Sequence, residues 1–279
     1  MKKNNVLVLG SGGREHAIVW SIYNDPNVSK VFCAPGNAGT SKLATNVNLN
    51  IMNNEELLRF VVDNDIDVTI VGPEQPLENG VVDFFEENNQ PIFGPNKFSS
   101  QLETSKLFAR YIMEKYNIPQ PAFFECSTEE EILSVAGQLG FPLVLKADGL
   151  AAGKGVIICN NQEELNLGID DMITDKKFGV AAEKISVEEF LYGEEVSVFA
   201  ICDGSNYKII NSAQDHKRIY DDDKGPNTGG MGAYSPAPIF NNTLKNKVEE
   251  RILKPILKAM KMEGSPYKGF LYLGLMISE

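Results

Sequence analysis

Short apolar, β-branched runs recur along the first third of this chain, each closing on a glycine- or proline-bearing turn. Asn5–Leu9, Val31–Ala34, Val68–Val71 and Pro91–Phe93 all have this form. Runs without polar alternation suit strands covered on both faces, as in a parallel sheet. Between them, Ala17–Tyr23, Glu55–Asn64 and Val81–Asn88 carry apolar residues at helical spacing. The alternation predicts a βαβ array of roughly a hundred residues.

The pattern then changes. Leu102–Tyr116 reads as a helix stopped by Asn117-Ile118-Pro119. Ser127–Leu139 reads as another, with Glu129, Glu130 and Glu131 suiting its N-terminal dipole. Phe141–Leu145 and Val156–Cys159 read as strands on either side of a glycine loop, which makes a hairpin. Glu164–Thr174 is helical. Glu188–Leu191 and Gly193–Ile201 form a strand, a short break and a second strand, a hinge between lobes. Lys208–Asn211 is a further strand. Tyr220–Tyr234, rich in aspartate and glycine, reads as a long irregular loop able to close over a small substrate. Val248–Met262 is a helix interrupted early by Pro255, and Gly269–Ile277 a last strand.

Composition narrows the function. With 279 residues, 43% of them hydrophobic, the chain can bury a substantial core. It has no apolar run long enough for a membrane helix. The opening MKKNNVLVLGSGG has too short an apolar part for a secretory leader and suits a buried first strand. Cys33, Cys126, Cys159 and Cys202 are scattered without a CxxC, so buried thiols in a reducing, cytoplasmic setting are expected. A formal net charge of −12 without a basic stripe argues against nucleic acid. The two histidines, His16 and His216, cannot build a Cys/His cluster, which argues against zinc; a metal here would be held by carboxylates, as suits magnesium.

The stretch KADGLAAGKGV, Lys146–Val156, carries the most chemistry. Gly149, Gly153 and Gly155 let backbone N–H groups approach a polyphosphate, and Lys146 and Lys154 supply positive charge. It is not a Walker A loop: three residues, not four, separate Gly149 from Gly153, and glycine rather than serine or threonine follows Lys154. A solvated surface hairpin is the alternative reading. A second candidate is Gly10-Ser11-Gly12-Gly13-Arg14-Glu15, which runs from strand to helix and so forms an anion site. Glu15 replaces the third glycine of a dinucleotide fingerprint, which argues against NAD; a plain tight turn is the alternative. Asn37 and Glu74 are the best polar residues at the other strand ends, or else turn and cap residues. Lys106 opposes the dipole of its own helix and hints at a bound anion, unless it is simply solvated. Asp215, His216, Lys217 and Arg218 cluster just before the irregular stretch.

Taken in order, GSGGREHA, APGNAGT, GPEQPL, KADGLAAGKGV, VEEFLYGEEVSV and AQDHKRIYDDDKGPNTGGMGAYSP resemble the phosphoribosylamine–glycine ligase family of the ATP-grasp superfamily, from Val6 to about Met276. The resemblance implies an α/β and α+β chain. A Rossmann-like parallel domain over 1–101 would precede an incomplete ATP-grasp domain over 102–279, with a lid subdomain near 120–191. It implies ATP-dependent joining of glycine to 5-phosphoribosylamine in de novo purine synthesis, through a glycyl phosphate. By resemblance, Lys106 and Lys146 contact the nucleotide phosphates, and Gly149, Gly153, Lys154 and Gly155 fold over them. Glu188, Glu189 and Leu191 line the adenine, and Glu195 the ribose. Gly12, Gly13, Arg14, Glu15 and Glu74 take the phosphoribosylamine. Asp215, Lys217, Asn227, Thr228, Gly229 and Gly230 serve glycine and the amine, with Lys146, Asp215 and Lys217 the catalytic set. The family uses Mg2+ or Mn2+, whose usual ligands in a motif like EFNxRxGDPE do not occur before Glu279. A truncated ligase that binds nucleotide weakly and turns over poorly is therefore expected. Another ATP-grasp carboxylate–amine ligase, or a non-catalytic nucleotide-binding remnant, is the alternative. No nucleic-acid or membrane partner is implied.

Overall fold

The computed structural model describes residues 3–151, 155–221 and 224–278 and divides into two compact units. The first comprises Met1–Ser100 and Tyr267–Phe270, the second Gln101–Pro266 and Leu271–Glu279.

In the first unit the elements run β1 (Asn4–Gly10), α1 (Gly13–Tyr23), β2 (Val28–Pro35), β3 (Thr45–Asn46), α2 (Asn54–Asp63), β4 (Val68–Val71), α3 (Glu74–Glu78), α4 (Val81–Glu87) and β5 (Ile92–Phe93). The strands form one parallel sheet in the order β3-β2-β1-β4-β5. Period-two geometry explains both layers of its core. Leu7 and Leu9 pack with Leu57, Val61, Val81, Val82 and Phe85 of α2 and α4. Val6 and Val8 face the other way and pack with Val19 of α1, Val31 and Cys33. The chain builds outward from β1 on one side and then from β4 on the other. The order therefore reverses between these two strands, and ligands of open α/β sheets bind outside the carboxyl ends at such a point.

The chain enters the second unit through α5 (Lys97–Thr104), then continues as α6 (Lys106–Lys115), β6 (Phe123–Cys126), α7 (Glu129–Leu139), β7 (Leu143–Ala147), β8 (Val156–Cys159), α8 (Gln162–Ile169) and β9 (Ile185–Glu189). These strands pair antiparallel in the order β6-β9-β7-β8. Leu143, Leu145, Ala147, Ile185 and Val187 bury one face against Ile132, Val135 and Ala136 of α7 and Leu165 and Ile169 of α8. After β9 come β10 (Glu194–Asp203), β11 (Tyr207–Tyr220), β12 (Lys224–Tyr234), α9 (Asn242–Val248), α10 (Lys254–Met262) and β13 (Lys268–Ile277). Here the sheet order is β12-β11-β10-β13.

Three elements depart from the expected pattern. The stretch expected as a loop over Tyr220–Tyr234 is mostly strand β12, with Asp215 opposite Ala233 and Arg218 opposite Asn227. Its glycines lack strand propensity, but the fourteen-residue β11 supplies a long partner ladder, and pairing overrides propensity. The helix expected over Leu102–Tyr116 is two helices, because Ser105 takes extended backbone and caps α6 by accepting from Phe108 N. The helix expected from Val248 begins earlier, at α9, and widens into a π-turn over Glu249–Leu253 just before Pro255, which supplies no N–H to the ladder. All four cysteines are buried and free, and burial raises the thiols of Cys33, Cys126 and Cys159 to about 11 and that of Cys202 to about 12. Among the described residues no helix is long and apolar enough to cross a membrane.

Candidate functional site

Strand alternation decides which side chains of β7 and β9 are available for chemistry. Leu145, Ala147 and Val187 go into the core, so Lys146 and Glu188 emerge on the opposite face, in register across the pair: Val144 opposes Glu188 and Lys146 opposes Ser186. Lys146 Nζ lies 2.7 Å from Glu188 Oε2. Ser186 Oγ donates to Glu188 Oε1 at 3.0 Å. Arg110 of α6 closes the cluster with a forked contact: Nε donates to Oε1 at 2.9 Å and one terminal nitrogen to Oε2 at 2.6 Å. The Glu188 side chain is 1% exposed, against 16% for Arg110 and 23% for Lys146. Burial pushes the Glu188 carboxyl up, but the Arg110 hydrogen bond and the charges of Lys146 and Arg110 together outweigh it and hold it below the usual carboxylate value.

Lys106 is brought to the same neighbourhood by Asp148. The Asp148 carboxylate accepts from Leu107 N at 2.8 Å and from Ser105 Oγ at 3.0 Å, and its carbonyl accepts from Lys106 N at 3.2 Å. The loop after β7 thus satisfies the open N–H groups at the start of α6. Lys106 Nζ donates to Gly149 O at 3.2 Å. Burial lowers its pKa, Asp148 raises it, and the charge of Lys146 lowers it further. An ammonium group lowered by burial and by a neighbouring lysine, beside a glycine turn, suits an anion that would offset both effects. Gly149 permits this arrangement: its N–H bonds Ala181 O, and a Cβ there would stand 3.0 Å from Ala181 Cα. Gly155 accepts from Ala147 N and leaves no room for a Cβ beside Ala151. Gly153 and Lys154 lie outside the described residues.

The acid assigned by resemblance to adenine therefore has its carboxylate engaged by Arg110, Lys146 and Ser186. Glu189 is exposed and accepts from Ala122 N at 3.1 Å, and Leu191 is exposed in the link between β9 and β10. Glu195, at the start of β10, pairs with Lys217 of β11 at 2.6 Å, and Asp215 is 3.5 Å from the same ammonium. Burial would lower Lys217, but the Glu195 hydrogen bond and the two carboxylate charges raise it overall. Thr228 Oγ1 donates to Lys217 O and accepts from Gly230 N, which ties β12 to this group. Gly229 sits exposed between them; the side chain of Asn227 lies outside the described residues. Tyr272 of β13 stands beside Ser197, hydroxyl to hydroxyl, at 3.4 Å.

In the first unit the loops after β1 and β4 meet at the strand-order reversal. Gly12 N donates to Glu15 Oε2 at 2.6 Å, so Glu15 caps the helix that Gly13 begins. The Glu15 side chain is buried in a slot framed by Gly10 and Gly72, too tight for a Cβ on either glycine. Arg14 is mostly exposed and forks onto Glu74, at 2.6 and 3.2 Å. Burial pushes Glu74 up, but the Arg14 hydrogen bond, its own backbone N–H and the Arg14 charge together outweigh it and hold it low. Asn37 donates to Ser11 O at 2.9 Å and accepts from Gly39 N and Thr40 N, so it braces the same loop.

Arg110, Asp148 and Ser105 are not among the candidate site residues of the sequence analysis. Ser105 had a legible signal as a cap residue directly before a helical run. Among the described residues no group of three His, Cys, Asp or Glu side chains is placed to hold a metal ion.

Residues 4–103 match the model of the phosphoribosylglycinamide synthetase N domain, and residues 104–279 that of the phosphoribosylglycinamide synthetase ATP-grasp (A) domain. The chain is 47% identical over 274 residues to the phosphoribosylamine–glycine ligase of Caldanaerobacter subterraneus subsp. tengcongensis, covering 98% of this chain and 66% of that one. It is 48% identical over 278 residues to that of Vibrio vulnificus, covering 99% and 65%. The crystal structure of phosphoribosylamine–glycine ligase from Thermotoga maritima superposes with a TM-score of 0.81 at 36% identity, over 99% of this chain and 66% of that one. The chain thus spans about two thirds of the length of these relatives. On both domain matches, the chain belongs to the phosphoribosylglycinamide synthetase family.

Proposed function

We propose that the chain takes part in the ATP-dependent ligation of glycine to 5-phosphoribosylamine, giving glycinamide ribonucleotide, ADP and phosphate. The observation that carries the reading is the convergence of Lys106 and Lys146 beside the glycine turn at Gly149, with Arg110 and Glu188 behind them. A carboxylate is a poor electrophile because its charge repels a nucleophile. In the proposed reaction a glycine carboxylate oxygen attacks the γ-phosphorus and ADP leaves, forming glycyl phosphate. The amine nitrogen of the ribosylamine then attacks the carbonyl carbon, and phosphate leaves. Positioning and charge neutralisation are the protein's main contributions to such a transfer.

In this reading Lys106 and Lys146 neutralise the triphosphate, and Gly149 and Gly155 belong to a lid near 120–191 that covers it. The backbone of the link from Glu189 to Glu194, with Leu191, meets the adenine, and Glu195 the ribose. The Glu188 carboxylate serves the phosphate end. Gly12, Gly13, Arg14 and Glu74 receive the phosphoribosylamine at the strand-order reversal, with Glu15 as the strut beneath them. Asp215, Lys217, Thr228, Gly229 and Gly230 serve glycine and the amine.

A coupled ADP-release assay tests the proposal. ADP release that requires both glycine and freshly prepared phosphoribosylamine, and is abolished by Lys146→Ala, supports it. Release driven by another amino acid in place of glycine points to a different carboxylate–amine ligase. ATP binding without substrate-dependent hydrolysis leaves a nucleotide-binding module.

A further inference from the structure

Arg110 is itself assigned no ligand, yet it forks onto Glu188, the most deeply buried acid of the cluster. We propose that Arg110 is a positioning residue for nucleotide binding: by occupying Glu188, it leaves the charge of Lys146 available to phosphate. The proposal rests on the reading of Lys146 as a phosphate contact.

The hydrogen-bonding capacity of the carboxylate sets the argument. An ionised carboxylate offers about four acceptor positions. Arg110 takes two of those on Glu188, Lys146 one and Ser186 one, so the acid is saturated from within the fold. The charges do not cancel: two cations share one carboxylate. Exposure decides where the excess lies. Glu188 is sealed, both cations are part exposed, and Lys146 is the more open of the two. The surplus positive charge is therefore presented at Lys146, beside Lys106.

Without Arg110 the same buried carboxylate has one cation left. Attraction between unlike charges grows as water is excluded, so Lys146 becomes the sole counter-ion of Glu188 and is held back from a ligand. Arg110 suits the task better than lysine because its planar fork engages both oxygens at once. It stands four residues after Lys106 on α6, the neighbouring position on one helix face. One helix thus supplies one phosphate contact directly and sets a second at one remove.

The test is the affinity of the full chain for ADP and ATPγS by isothermal titration calorimetry, with thermal unfolding of each variant alongside. Arg110→Met should weaken ATPγS binding by about tenfold or more, and Arg110→Lys by less, since it keeps the charge but loses the fork. The decisive variant is Arg110→Met with Glu188→Gln. Neutralising the acid frees Lys146, so affinity should recover at least threefold over Arg110→Met alone, although a purely structural role predicts a further loss. If Arg110→Met does not fold, Arg110→Lys with and without Glu188→Gln gives the same comparison. Wild-type affinity in the arginine variants, or no recovery in the double variant, overturns the proposal. Failure of the unaltered chain to bind either nucleotide overturns the nucleotide reading itself.

Discussion

The two glycine turns make opposite use of the same ingredients. After β1, two carboxylates share one cation: Glu74 and Glu15 both lie within reach of Arg14. After β7, two cations share one carboxylate: Lys146 and Arg110 both bind Glu188. The exposure is inverted too. In the first turn the cation is the open group and one acid is sealed beneath the glycines; in the second the sealed acid lies behind a lysine that meets solvent. Glycine with a nearby cation is therefore not enough to define a polyphosphate site. The acids packed around each turn set its charge balance, and of the two clusters only the one on Glu188 holds more cations than acids.

That contrast can be broken by stability measurements. Glu188→Ala should cost about 3–5 kcal/mol in denaturant unfolding, because it leaves two poorly solvated cations without their counter-charge. Glu74→Gln should cost no more than about 1 kcal/mol, because its partner Arg14 is already in water. Equal costs would dissolve the distinction. A second test concerns the sealed acid of the first turn. Gly72→Ala should destabilise by about 1–3 kcal/mol, since the new Cβ runs into the Glu15 carboxylate. In a Glu15→Ala background the same change should cost little, and an undiminished cost would mean that something other than Glu15 fills the slot.

Acid titration sharpens the comparison further. The Glu188 pKa is lowered in the folded state, so its contribution is fully present above the unfolded carboxylate value near 4.5 and is lost as pH falls through its lower folded value. The stability difference between wild type and Glu188→Gln should therefore stay constant above about pH 5.5 and close only below the usual carboxylate range. A difference that already closes near pH 6 would contradict the clamp. The smallest effect concerns Lys106. Its pKa is lowered, first by burial, so it loses its proton below 10.5. ADP affinity should fall as pH rises towards that value, by a few fold, and the fall should vanish in Lys106→Met. A pH profile unchanged by the substitution would remove Lys106 from the site.

Much of the core was legible in the chain because it is local. Unbroken apolar runs gave β1 and β4, and two strands flanking KADGLAAGKGV gave the hairpin of β7 and β8. The error over Tyr220–Tyr234 has an instructive cause. Its glycines and aspartates argue for a loop, but a strand is stabilised by its neighbour as well as by its own residues, and the neighbour β11 is far longer than its apolar segment Lys208–Asn211 suggested. Ser105 could have been read as a cap; its tie to Asp148, forty-three positions on, could not.

The chain's own pattern determined the candidate cations, the turns that carry them and the alternation that turns Lys146 away from the core, since strand and helix periods act over a few residues. Only tertiary structure decided how those cations are balanced. Arg110 and Glu188 are seventy-eight residues apart, and the charge left for a ligand depends on which acids packing brings within a few ångströms of each lysine.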